Sequence, residues 1–285
     1  MQDRLHWVEC PRDAMQGMSR FIPTEQKIQY INSLLDVGFD TIDIGSFVSP
    51  KAIPQMSDSL EVIRSVTWTK KKPEFLVIVA NERGAETAVH EERVDVIGFP
   101  LSISETFQQR NTGASIDEAF QRLEKIQQLA SAHKKQLVIY LSMGFGNPYE
   151  ESYSPKILAD FSSRIQNNFQ PQCIALSDTI GSATPVLISE VFTQLNDRFS
   201  DLIFSAHLHT TPETAQEKLV AAWQAGCRRF DSAIGGWGGC PMAKDELTGN
   251  MPSEILASAM PSHLSADFDM PHFEEAKKIA QAIFL

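Results

Sequence analysis

Rhythm is the feature that most narrows the fold of this chain: short apolar runs alternate with longer amphipathic ones eight times between its ends. Repeated strand–helix units call for parallel strands covered by helices. Eight of them in 285 residues suit a closed (β/α)8 barrel, the TIM barrel, better than an open doubly wound sheet. Strands are expected at 4–10, 40–44, 75–80, 94–99, 136–142, 173–177, 202–207 and 229–233. Helices are expected at 24–37, 57–69, 84–90, 115–132, 155–167, 185–195 and 211–225, with closing C-terminal helices at 252–259 and 272–284. The first of these units shows the logic. Pro23 opens a helix whose Ile28, Ile31, Leu34 and Leu35 recur at helical spacing, and Gly38 stops it. Asp117 and Glu118 likewise suit the amino-terminal end of the long fourth helix.

No linker or shift in composition divides the chain, so one catalytic domain over 1–285 is expected. With 42% hydrophobic residues the chain can fill a large core. A net charge of -11 argues against nucleic acid as a partner. No apolar stretch reaches the length of a membrane-spanning helix, so no membrane partner is expected. Cys10, Cys173, Cys227 and Cys240 are too dispersed for a disulfide framework, and the first residues lack a signal-peptide core. A cytoplasmic protein is expected. Lys70, Lys71 and Lys72 read either as a solvated helix end or as an attractor for a phosphate-bearing ligand.

In a barrel of this kind chemistry collects where the strands end. After the first strand come Arg12, whose planar fork of donors can hold a carboxylate or carbonyl oxygen, and Asp13, a hard metal ligand. A surface Arg–Asp pair followed by a turn is the other reading. In the seventh strand His207 and His209 fall on one face, because alternation points Leu208 away. Both rings can then reach one metal, although ordinary hydrogen-bonded histidines share the pattern. Asn250 offers a neutral oxygen that can complete a site begun by Asp13, His207 and His209. Gly235, Gly236, Gly238 and Gly239 make a freely folding segment around Trp237, and Cys240 beside them can be reactive. That segment is expected to close as a lid, with Trp237 packed over apolar substrate atoms. Asp43 ends the second strand among apolar neighbours and needs a positive partner, for which Arg12 is one strand away. Asn81 and Asp178 read as structural hydrogen-bonding residues, and Glu105 as the start of a short helix.

The assembled segments resemble the 3-hydroxy-3-methylglutaryl-CoA lyases, within the wider barrel family that also includes isopropylmalate and homocitrate synthases. They are PRDAMQG, SFVSPKAIPQMSDS, NPYE, LSDTIG, AHLHT, GGWGGCP and TGN, in the family's order from residue 11 to 250. The resemblance implies Mg2+ or Mn2+ held by Asp13, His207, His209 and Asn250. It also implies catalytic roles for Arg12, Asp13, Asp43, His207 and Cys240, with Arg12 on the enolate-like oxygen and Cys240 on the catalytic loop. The implied reaction is retro-Claisen cleavage of 3-hydroxy-3-methylglutaryl-CoA to acetyl-CoA and acetoacetate, a step of leucine degradation. The implied partners are an acyl-CoA substrate and a second copy of the chain in a homodimer. A related lyase, or a Claisen-type synthase acting on a 2-oxo acid, is the alternative on the same scaffold. Five positions depart from the family. Asp43 replaces a Glu, Trp237 a Leu and Met242 a Tyr, while Met143 and Asn147 stand where cysteines are usual.

Overall fold

Runs of Val, Ile, Leu and Phe buried on both faces build the strands of this chain, in a computed structural model that describes residues 4–70, 72–239 and 248–285. The strands are β1 (His6–Glu9), β2 (Thr41–Ser46), β3 (Glu74–Ile78), β4 (Val96–Ser102), β5 (Gln136–Ser142), β6 (Cys173–Asp178), β7 (Phe204–Thr210), β8 (Arg229–Ser232) and the short β9 (Gly249–Asn250). β1 to β8 pair in parallel, each with the next, and β1 pairs with β8, so the sheet closes into an eight-stranded barrel. Two-faced burial is what parallel strands require, and it explains why they read as continuous apolar runs.

The helices are α1 (Pro11–Gln16), α2 (Thr24–Leu35), α3 (Ser59–Ser65), α4 (Glu82–His90), α5 (Glu105–Thr112), α6 (Ile116–Ala132), α7 (Pro155–Asn168), α8 (Pro185–Arg198), α9 (Ala215–Gln224), α10 (Ser253–Ala259) and α11 (Met270–Phe284). Local sequence explains their ends. In α6, Ser115 and Glu118 form a reciprocal capping box, and Ala119, Phe120, Leu123, Ile126 and Ala130 make the buried stripe. Gly38 follows α2 at φ +100°, where a Cβ would stand 2.4 Å from the Asp267 carbonyl oxygen, so only glycine fits. The side chains between strands and helices form the main core. A smaller cluster of Leu76, Val96, Val138, Tyr140, Cys173 and Ala175 comes from β3, β4, β5 and β6.

Most expected elements are present, and three differences bear on the site. The segment after β1 is not a turn but α1, with Pro11 in its first turn. The seventh strand runs on to Thr210, so both histidines lie inside it. β9 pairs antiparallel with β7 and sets Asn250 opposite His209. Neither the six-residue α1 nor the two-residue β9 is long enough to show a period. Among the described residues no helix is long and apolar enough to cross a membrane.

Candidate active site

The carboxyl ends of the strands open into a cavity of about 690 Å³. Its floor and walls include Arg12, Asp13, His207 and His209, with Asn81 and Arg110 farther along the lining. Arg12 and Asp13 are almost fully buried, at 6% and 5% exposure, which excludes the surface-pair reading. The guanidinium is held on two sides. Its Nε donates to both oxygens of Asp43 at 3.2 and 2.9 Å, Nη2 donates to Asp43 as well, and Nη1 donates to Asp13 Oδ1 at 2.9 Å. The shorter Asp43 side chain therefore reaches Arg12 directly. Burial raises the Asp43 pKa to about 6 against the pull of Arg12, which still leaves a carboxylate at neutral pH. Burial also opposes the charge of Arg12, but Asp43 and Asp13 outweigh it and hold the guanidinium protonated.

Asp13, His207 and His209 each point a potential ligand atom inward, all within 4.8 Å of one another. The two histidines present complementary faces. His207 Nδ1 is bonded to Asp231 Oδ2 at 3.1 Å, so Nε2, 4.0 Å from Asp13 Oδ2, is the nitrogen left for the site. His209 Nδ1 is buried without a hydrogen-bond partner among the described residues. A buried ring nitrogen with no partner is costly unless something fills that place. Burial and then the neighbouring His207 charge lower the His209 pKa to about 4, so the ring is a neutral, electron-pair-donating imidazole. Burial raises the Asp13 carboxyl, but Arg12, His207 and His209 reverse this and keep it ionised. Burial lowers the His207 pKa, and its bond to Asp231 more than restores it.

Asn250 donates its side-chain amide to the Trp237 carbonyl at 2.9 Å, which leaves Oδ1 as its free ligand atom. One carboxylate, two imidazoles and an amide oxygen make a donor set that fits a divalent cation. Gly238 allows this close packing, since a Cβ there would stand 2.5 Å from Asn250 Nδ2 and 2.8 Å from the Asp13 carbonyl. Trp237 is not among the residues that line the cavity; its ring stacks on Phe284, at the end of α11, with centroids 5.5 Å apart and planes at 14°. Cys240, Pro241 and Met242 lie outside the described residues.

The rim residues take structural roles. Asn81 caps α4 by accepting from the Gly84 N–H at 3.0 Å. Ser104 caps α5, with Glu105 in its first turn. Asp178 accepts from Lys218 at 2.8 Å and from the Ala183 N–H at 3.1 Å. Lys70 and Lys72 pair with Asp269 and Asp95, so the carboxylates occupy them.

Three residues behind the site were not singled out from the sequence. Asp231 orients His207. Lys218 donates to Asp178, the Gly181 carbonyl and the His209 carbonyl at 2.8, 2.8 and 2.9 Å, so all three of its protons are used. Glu9, fully buried, accepts from the Ile234 N–H and the Ser253 hydroxyl. Each left a trace: Asp231 is a carboxylate inside a strand, as Asp43 is. Lys218 shares the buried face of Ala215, Leu219 and Ala222 in α9. Glu9 interrupts the apolar end of β1.

A family model described as HMGL-like matches residues 4–280. The mitochondrial hydroxymethylglutaryl-CoA lyase of Mus musculus is 34% identical over 250 residues, covering 86% of this chain and 74% of that protein. A hydroxymethylglutaryl-CoA lyase of Bacillus subtilis is 34% identical over 246 residues, covering 86% and 81%. Among solved structures, an HMG-CoA lyase from Acinetobacter baumannii in complex with coenzyme A and 3-methylmalate superposes with a TM-score of 0.91 at 29% identity, covering 100% of this chain and 92% of that one.

Proposed function

The chain belongs to the HMGL-like family, and we propose on that premise that it cleaves 3-hydroxy-3-methylglutaryl-CoA to acetyl-CoA and acetoacetate. The observation that carries the reading is the convergence of Asp13, His207 and His209 beside a buried Arg12 at the barrel mouth, in a chain similar along most of its length to lyases of this substrate. It is a divalent-metal-dependent carbon–carbon lyase acting on an acyl-CoA.

Asp13, His207, His209 and Asn250 would hold the cation, proposed as Mg2+ or Mn2+. When bound, it supplies positive charge that orients the substrate's oxygens and favours loss of the tertiary hydroxyl proton. With the Nδ1–H of His207 donated to Asp231 and Nε2 turned to the cation, that ring has no electron pair left, so the Asp13 carboxylate would accept the proton. The hydrogen bond that His207 Nδ1 donates to Asp231 fixes the tautomer and orientation of His207 and makes Nε2 a stronger ligand. Breaking the carbon–carbon bond leaves negative charge on the thioester enolate oxygen. Arg12 would meet it, and its hydrogen bonds to Asp43 and Asp13 support the assignment, since a guanidinium held on both sides needs little reorganisation as charge develops. We assign the protonation of the resulting carbanion to Cys240, as a proton donor and not as a nucleophile, because this cleavage needs no acyl-enzyme. A cytoplasmic homodimer of single-domain subunits is the assembly proposed; the free, buried thiols of Cys10, Cys173 and Cys227 support a reducing compartment.

The test is to incubate metal-loaded protein with 3-hydroxy-3-methylglutaryl-CoA and identify products by mass spectrometry. Stoichiometric acetyl-CoA and acetoacetate are expected. Unchanged substrate, with turnover of another 3-hydroxyacyl-CoA offered in a parallel incubation, would reject the assignment. Cys240→Ser should keep metal affinity and lose most turnover; undiminished turnover removes Cys240 from the mechanism.

A further inference from the structure

At the opposite end of the barrel, where helices hand the chain to the starts of strands, two exposed histidines face each other. His90 is the last residue of α4 and His133 is the C-cap of α6. Their ring centroids are 5.0 Å apart, with planes tilted by 58°. Each Nδ1 lies within hydrogen-bond distance of the carbonyl four residues earlier, His90 to Glu86 at 2.7 Å and His133 to Leu129 at 3.0 Å. A carbonyl can only accept, so each Nδ1 must carry the proton. In the neutral ring each Nε2 is then a bare electron pair, the form in which histidine binds metals.

We propose that His90 and His133 form a transition-metal site that staples α4 to α6, taking a borderline divalent ion such as Zn2+ with water completing its shell. Three features support it. Two imidazoles sharing a tetrahedral ion at metal–nitrogen bonds of about 2.0–2.1 Å have ring centroids roughly 5 Å apart, matching the spacing here. Both rings sit at helix carboxyl ends, whose backbone dipoles favour a cation. The neighbouring Lys135 ammonium is drawn off to the carbonyls of Glu91 and Val94. A pair of nitrogens, without a carboxylate, selects against the hard cation proposed for the barrel mouth. The two sites are therefore separable, and this one does not depend on the reading of the active site.

The experiment titrates Zn2+ into the full chain held in excess Mg2+, by calorimetry and by thermal unfolding. It compares the parent with His90→Ala, His133→Ala and the double variant. One binding event is expected to weaken at least tenfold in either single variant and no further in the double, because one histidine alone holds little. The Zn2+-dependent rise in Tm should vanish with it, while Tm without Zn2+ and lyase turnover with Mg2+ stay at the parent's values. Unchanged Zn2+ affinity in both single variants overturns the site. So does finding that every Zn2+ event disappears in His209→Ala, which would place all of the binding at the barrel mouth.

Discussion

His209 shows how one side chain is prepared for a ligand. Its buried Nδ1 has no partner among the described residues, and burial keeps the ring neutral across the physiological range. Losing an outer partner of a metal-bound histidine costs about 10–100-fold in affinity, so losing the ligand itself should cost on the order of a hundredfold or more. His209→Ala should therefore weaken Mg2+ or Mn2+ binding by that factor in calorimetry while the far-ultraviolet spectrum stays unchanged; parent-like affinity would remove His209 from the site. Arg12 and Asp43 set a different expectation. With Asp43 fully buried and Arg12 nearly so, their pair cannot be broken for the sake of chemistry alone. Asp43→Asn should lower turnover roughly a hundredfold, the scale of one misplaced transition-state donor. It should also cost about 3 kcal/mol of stability, as breaking a buried pair does. A variant with full activity would show that the carboxylate does not position Arg12.

At the scale of elements, Lys218 ties α9 to the ends of β6 and β7 through Asp178, the Gly181 carbonyl and the His209 carbonyl. The helix thereby holds a strand end that carries a proposed metal ligand. Lys218→Met keeps the apolar stem but leaves Asp178 buried without its cation, so about 3 kcal/mol of stability should be lost. If the helix positions His209, metal affinity should fall at least about tenfold as well, and Lys218→Arg should recover part of it. A drop in Tm with unchanged metal affinity would reduce Lys218 to a purely structural role. α1 makes the same point from the other side of the mouth. Its first turn carries Arg12 and Asp13 into the cavity, and Pro11 presets the backbone for it.

For the whole molecule, barrel closure places β1 beside β8, and Glu9 sits at that seam, bonded to Ile234 and Ser253 beyond the last barrel strand. Burial raises its pKa from 4.5 to about 8. The sign follows from linkage: the folded state binds this proton more tightly than the unfolded chain. The stability gained is complete below the unfolded pKa and is lost as pH rises through about 8. The parent's Tm should therefore decline between about pH 5 and pH 8 and level off above that, and Glu9→Gln, which cannot ionise, should flatten that decline. Parallel Tm curves for the two proteins would show that Glu9 does not titrate in this range. Closure also explains what was legible beforehand. The alternation of strands and helices, the capping of α6 by Ser115 and Glu118, and the shared face of His207 and His209 depend on neighbours a few residues apart, and periodicity and local hydrogen bonding record them directly. Arg12 meeting Asp43 was readable as a need, since a buried carboxylate requires a cation, but its direct geometry was not. Asp231 behind His207, Lys218 under His209 and the stacking of Trp237 on Phe284 were decided only by tertiary structure. These pairs join residues from 9 to 47 positions apart, on elements whose contact depends on register and closure, so the charge of a lone Asp or Lys leaves its partner unspecified until the barrel brings both out of water.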